Sequence, residues 1–231
     1  MLLLGVDTET TGTDTETDYP TEVGAVLWCT ERARPLHMMQ MLIERPPSGP
    51  LISAEAARVS GLNDDARTRF GQPLCALEVT LGLMYAGYGI DAVVAHNAPF
   101  DRAMLAKALA PSAGLFLIPW IDTYTDVPLR GSLTHVAADH GVLNPFPHCS
   151  LPDVLTMLKV VQQYDVAAIL ERAKSPLLEC EADVTYDLRE LPKQAGFRWN
   201  PEKRKWYWTG REVDFKQQKP GWRFPVKVRN L

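Results

Sequence analysis

The chain has 231 residues, 46% of them hydrophobic, and a formal net charge of −4. That length suits one medium domain, or a domain with a small appendage, and the apolar share supports a real core. No segment approaches the roughly 20 apolar residues of a membrane-spanning helix, and no basic region precedes the short apolar run at the N-terminus. Neither a membrane span nor a secretory leader is therefore expected, and the protein is read as cytoplasmic. Cys29, Cys75, Cys149 and Cys180 are widely spaced with no CxxC, which suits thiols in a reducing compartment and excludes a disulfide framework or a zinc ribbon. Charge is uneven. Residues 1–181 carry 12 Lys/Arg against 22 Asp/Glu, whereas residues 182–231 carry 12 against 6. An acidic body with a basic tail suits a cation-holding site beside a polyanion-binding appendage, or simply a solvated basic tail.

In chain order, residues 2–7 read as a buried strand, and residues 22–30 and 36–43 as two more, joined by a turn at Arg34-Pro35 in an antiparallel meander. The run Pro46–Pro50 opens a loop. Ser53 is a natural cap for a short helix over 54–59, which Gly61 ends. Helical periodicity returns over 74–86. A short apolar strand covers 92–95, and Pro99 suits the first turn of a helix reaching about Leu109. Residues 115–121 read as a strand. Ser132 caps a helix to His140 with Gly141 as its stop. Ser150, with Pro152 in the first turn, opens a helix to about Val161, and a last helix covers 164–172. Three strands followed by alternating helices and strands predict a mixed α/β sheet with helices on its faces. Residues 173–182 read as a linker, which divides the chain into residues 1–175 and 182–231.

Two carboxylates stand out in DTETTG (residues 7–12), just after the first apolar run. Side chains alternate along a strand, so Asp7 and Glu9 share a face. Crowded carboxylates repel unless neutralised, and a divalent cation such as Mg²⁺ or Mn²⁺ takes oxygen ligands of this kind. The plainer reading is a polar turn after an edge strand. Asp101, in HNAPFD (96–101), falls in the first turn of a helix that follows a strand, where α/β folds hold ligands; the helix dipole alone would also favour it. His148 and Asp153 fall in HCSLPD (148–153). A loop histidine ahead of a helical carboxylate suits a general base beside a metal ligand, or a surface histidine beside a first-turn aspartate. His135 and His140 do not share a helix face and read as structural, and Asp122 reads as support for the site.

Taken in order, Asp7, Glu9, Asp101, His148 and Asp153 resemble the pattern of the DEDDh, or DnaQ-like, 3′→5′ exonucleases. The resemblance covers about residues 1–172 and extends to ISAEAARVSGLNDD (52–65), IDT (121–123) and SLTHVAADHGV (132–142). It implies a ribonuclease-H-like fold, with a mixed five-stranded sheet flanked by helices. It implies that Asp7, Glu9, Asp101 and Asp153 hold two Mg²⁺ or Mn²⁺ ions, with Asp7 bridging them and Asp101 acting partly through water. His148 would deprotonate the attacking water. The substrate implied is DNA with a single-stranded 3′ end, cut to 5′-mononucleotides; the setting stays open among proofreading, DNA repair, recombination and nucleotide scavenging, with a polymerase or repair protein as the candidate partner. Thr8 and Thr10 would hold the terminal nucleotide, and Asn97 and Phe100 would contact the strand. An exoribonuclease of the same fold, and a catalytically silent nucleic-acid-binding or polymerase-associated subunit, are the alternatives. The chain departs from the family pattern around Asp153, where Pro152 precedes it and Val154 takes a position usually held by a small residue. Pro is tolerated in a first helical turn.

Residues 196–208, GFRWNPEKRKWYW, read as a β-hairpin turning at Asn200-Pro201-Glu202. A strand at about 182–186 and a short helix at 188–195 precede it, giving a small α+β module. Phe197 pairs in face with Trp199, and Trp206 with Trp208. Aromatics interleaved with Lys and Arg can stack on bases while binding phosphates. They can equally form the core of a small module, which needs bulky apolar groups to fold. Similar GFRW…KxWY tails occur in exonuclease-like proteins of phages and bacteria, and the resemblance implies an accessory nucleic-acid-binding role.

Overall fold

The structure is a computed structural model that describes residues 1–110, 113–127 and 131–231. It divides into two compact units, Met1–Leu170 and Glu171–Leu231.

The first unit is built on a five-stranded sheet. Its strands are β1 (Leu2–Thr10), β2 (Pro20–Cys29), β3 (Arg34–Leu42), β4 (Ala92–Ala95) and β5 (Trp120–Asp122), in the spatial order β3-β2-β1-β4-β5. β1 pairs antiparallel with β2 and β2 with β3, while β4 is parallel to both β1 and β5. The expected mixed sheet is therefore present, with helices on its faces. They are α1 (Ala54–Ser60), α2 (Asp64–Phe70), α3 (Leu74–Ala86), α4 (Ala98–Leu105), α5 (Thr123–Asp126), α6 (Leu133–Asp139), α7 (Ser150–Val161) and α8 (Val166–Ala173). The boundary between the two units falls within α8.

The period of two along β1 sorts its side chains. Leu4 and Val6 join Val23, Ala25 and Leu27 of β2 in a core with Leu77 and Leu81 of α3 and Leu105 of α4. Gly5, Asp7 and Glu9 point the other way, toward α7. A Cβ on Gly5 would stand 2.7 Å from Val154 and Leu158 side-chain atoms, and one on Gly24 would stand 2.5 Å from the Ser150 carbonyl carbon. These two glycines let α7 lie directly on β1 and β2, and the polar end of that face then falls beneath the start of the helix.

Several elements differ from expectation. β1 runs through the DTET motif to Thr10 instead of ending at residue 7, because β2 supplies pairing partners along its whole length. α2 lies in a stretch to which the sequence reading assigns no element; Asn63 caps it by accepting from the Ala66 N–H at 2.8 Å. The strand expected over 115–121 is a 3₁₀ turn, Gly114–Phe116, followed by three strand residues. Pro119 has no N–H to give a ladder, so the strand proper begins at Trp120. α4 ends at Leu105, four residues earlier than read. α7 begins at Ser150 and ends at Val161 as read, with Cys149 in the cap position.

The second unit contains a four-stranded antiparallel sheet in the order β7-β8-β6-β9. Its elements are β6 (Leu177–Ala182), α9 (Glu190–Gln194), β7 (Arg198–Asn200), β8 (Lys205–Arg211), α10 (Glu212–Gln218) and β9 (Val226–Asn230). Most of the expected linker is thus β6, a central strand, and residues 183–186 form no strand. Burial alternates along β6, with Leu178, Cys180 and Ala182 buried and their neighbours partly exposed, as in a strand with one face in a core. Cys180, Ala182, Phe197, Trp208 and Phe224 form that core, with Trp222 and Phe215 against it.

Candidate functional site

Asp7 and Glu9 occupy the last turns of the pleat before β1 ends. Their antiparallel partners are Gly24 and Glu22, so a third carboxylate, Glu22, lies directly across from Glu9. It is 7% exposed. Its Oε1 accepts from both the N–H of Ser150, at 3.0 Å, and the Ser150 hydroxyl, at 2.7 Å. Glu22 therefore ties the first residue of α7 to β2, and α7 carries Asp153.

Asp101 reaches the site from α4. β4 pairs with β1 only as far as Gly5, which frees the N–H of Thr8. That N–H and the Thr8 hydroxyl both donate to Asp101 Oδ1, at 2.9 and 2.8 Å. The start of α4 is held in turn by Asp122, whose Oδ1 accepts from the N–H groups of Asn97 and Ala98. Asp122 thus has the supporting role expected of it.

Asp153 is held at both oxygens. Asn144 Nδ2 donates to Oδ1, and the N–H of His148 donates to Oδ2 at 3.0 Å. The second bond draws the histidine loop over the start of α7. His148 itself takes a left-handed backbone, φ 62°, with an exposed side chain. Ligand atoms of Glu9, His148 and Asp153 all lie within 4.8 Å of one another.

The carboxyls are strongly perturbed. Burial pushes Asp7 well above the usual carboxylate range, and the charges of Asp101, Glu9, Asp153 and Glu22 add to the effect. Burial raises Glu9 to about 7, with Asp153 and Glu22 contributing. Asp101 also rises to about 7, through burial that its two hydrogen bonds from Thr8 only partly offset. Asp153 is raised by burial against the opposing pull of Asn144 and His148. Four carboxyls raised by burial, three of them also by neighbouring carboxylates, form a donor set that a divalent cation would satisfy, since positive charge among them favours their ionised forms. Their oxygen donors match Mg²⁺ and Mn²⁺.

Three of the four residues expected at the substrate, Thr8, Thr10 and Phe100, line a cavity of about 290 Å³ beside Glu9, together with Val59 and Ser53. Thr8 is buried and spends its hydroxyl on Asp101. Asn97 lies outside that lining, exposed in a left-handed turn at the start of α4. His135 and His140 stay structural: His135 bonds Ser132, and His140 bridges the Val136 carbonyl and the Tyr164 hydroxyl. Glu22 and Asn144 were missed as site residues. The available signal for Glu22 was a lone charge at the head of an apolar strand, in step with Glu9 across the meander.

The fold is that of solved ribonuclease-H-like exonucleases. The structure of Escherichia coli exonuclease I in complex with a dA16 oligonucleotide matches at a TM-score of 0.62 with 15% identity, over 77% of this chain and 48% of that one. The chain thus spans about half the length of that enzyme. The nuclease domain of 3′hExo, a DEDDh family member bound to rAMP, matches at 0.53 with 16% identity, over 70% of this chain and 90% of that one. A full-length 3′-exonuclease matches at 0.56 with 18% identity, over 70% and 59%. No curated protein sequence matches the chain. A family profile described as a domain of unknown function (DUF8626) matches residues 178–212, within the second unit. Among the described residues, no helix is long and apolar enough to cross a membrane.

Proposed function

We propose that the first unit is a metal-dependent 3′→5′ exonuclease that removes 5′-mononucleotides from single-stranded DNA ends. The observation that carries the reading is the convergence of Asp7, Glu9, Asp101 and Asp153 from three elements, with every one of the four carboxyls raised and His148 beside two of them. Two Mg²⁺ or Mn²⁺ ions, held by these four residues, would supply positive charge to a phosphodiester and to the attacking and leaving oxygens.

The chain's own groups do the rest. His148, on the exposed side of the site, accepts the proton of the attacking water. The leaving group is the 3′-oxygen of the penultimate nucleotide. Thr8 fixes the rotamer of Asp101, and Asn144 that of Asp153. Glu22 keeps the head of α7 against β2 and so fixes Asp153 relative to Asp7 and Glu9. The cavity beside Glu9, walled by Thr10, Phe100 and Val59, offers the terminal nucleotide an apolar face.

The same architecture supports an exoribonuclease reading, since a neighbour of this fold was solved with rAMP and 2′-hydroxyl sensing depends on local pocket shape. The deciding experiment digests 5′-labelled single-stranded DNA and RNA of one sequence with wild type and Asp7→Ala, in Mg²⁺, Mn²⁺ or EDTA. A metal-dependent ladder shortening from the 3′ end, lost in Asp7→Ala, is the expected result, with DNA the faster substrate. Faster RNA cleavage would reassign the substrate. No cleavage of either would remove the catalytic reading.

A further inference from the structure

The second unit contains a cavity of about 640 Å³, a volume suited to a ligand the size of one or two nucleotides. Its walls are unusual for so small a unit. Small modules spend their aromatic residues on a core, and Trp208, Trp222, Phe197 and Phe224 do that here. Trp199 and Tyr186 do not: they are 48% and 77% exposed, and both line the cavity. Trp206 lies beside Trp199 across the β7–β8 pair, with ring centroids 5.5 Å apart. The Arg189 guanidinium sits 4.1 Å from the centroid of the Tyr186 ring, and Arg204 and Lys205 complete the rim.

Cations and open aromatic faces thus share one wall, and among the described residues no carboxylate lines the cavity. Arg204 is exposed at the hairpin turn, φ 53°. Lys205 is paired with Glu181 at 3.2 Å. Residues 182–231 carry a net charge of +6, so the field around the cavity favours an anion. A ligand that presents flat rings and negative charge at short intervals is a single-stranded nucleic acid, whose bases stack on aromatic side chains while its phosphates meet Lys and Arg. We infer that this cavity is a binding site for single-stranded nucleic acid, with one base stacked on Trp199, another on Tyr186, and the adjoining phosphates on Arg189 and Arg204. The inference requires no catalysis and stands apart from the reading of the acidic site.

The test measures fluorescence anisotropy of a labelled dT12 with the full-length chain in EDTA, so that nothing is cut. Trp199→Ala should weaken binding about tenfold, the scale for losing one stacked base. Trp199→Phe keeps a ring and should stay within about threefold of wild type. Arg204→Gln should weaken binding and flatten its dependence on salt. A blunt duplex and free dAMP should compete poorly, because neither offers unpaired bases joined by phosphates. If Trp199→Ala lowers the unfolding midpoint, Tyr186→Ala, at a far more exposed position, carries the same expectation. An unchanged Kd in a folded Trp199→Ala or Tyr186→Ala protein would overturn the inference. So would equal loss in Trp199→Phe, competition by dAMP at equal base concentration, or failure of the wild type to bind dT12 at low salt, which would leave the cavity to a protein partner. Loss of the exonuclease ladder with Trp199-dependent binding retained would sink the catalytic reading alone, and the reverse outcome would sink this one alone.

Discussion

Stability without metal should fall as pH rises through neutrality, and Glu9 sets the scale. A carboxyl whose pKa is raised by folding holds a proton that the unfolded chain has already released. Its favourable contribution is fully present below the unfolded pKa and is lost as pH rises through the folded one. For Glu9 that window runs from 4.5 to about 7. At about 1.4 kcal/mol per pH unit, ionising Glu9 costs the folded protein about 3 kcal/mol, of which about 2 kcal/mol falls between pH 5.5 and 8. Asp101 shifts in the same direction, from 3.8 to about 7, but the charge of Glu9 is one of its causes, so the two costs overlap. For a chain of this size, about 2 kcal/mol corresponds to about 4–8 °C in Tm. The assay is thermal unfolding in EDTA at pH 5.5 and pH 8, for wild type and Glu9→Gln. Wild type should melt lower at pH 8, Glu9→Gln should lose much of that difference, and Mg²⁺ or Mn²⁺ at pH 8 should raise the wild-type Tm more than that of the variant. Identical pH profiles for the two proteins, or a wild type that melts higher at pH 8 in EDTA, would refute the reasoning.

Removing the acceptor beneath α7 should cost stability and alignment together. Glu22→Ala leaves the buried N–H and hydroxyl of Ser150 unpaired, an expected loss of about 1–3 kcal/mol, whereas Glu22→Gln retains one acceptor oxygen and should lose less; chemical denaturation of both variants checks the order. Gly24→Ala pushes a methyl against the backbone of Ser150, and the overpacking should cost about 1–3 kcal/mol and lower the rate of 3′-end cleavage, read from single-turnover digestion. Trp208→Ala empties the core of the second unit at about 3–5 kcal/mol. Hydrogen exchange should show residues 177–230 opening in that variant, and unchanged protection there would count against Trp208 as the centre of that core.

How much was legible depends on the range of the interaction. The alternation that pairs Asp7 with Glu9 is a property of one strand, and a strand's period survives in any fold that uses it. The ordered motifs around Asp101, His148 and Asp153 were likewise readable, because each joins local signals: a strand end, a helix start, a proline in the first turn. β6 was not readable. Its run Leu178-Glu179-Cys180-Glu181-Ala182 alternates apolar and polar, but it is short, carries two glutamates and follows Lys174, Ser175 and Pro176, and it is pairing with β8 on one side and β9 on the other that distinguishes it from a linker. α2 was hidden in the same way, since Leu62-Asn63-Asp64-Asp65 reads as a turn until Asn63 is seen to cap a helix.

By itself, then, the amino-acid order determined the α/β class, the first three strands and the shared face of Asp7 and Glu9, since periodicity and capping act over a few residues and need no partner. Tertiary structure alone decided what surrounds those residues. It set Glu22 across from Glu9, gave Asp101 two hydrogen bonds from Thr8, and divided the aromatics of the second unit between a core and an open wall. Each of those outcomes rests on a contact between residues far apart in the chain or on which face of a sheet is covered, and neither is encoded in local pattern.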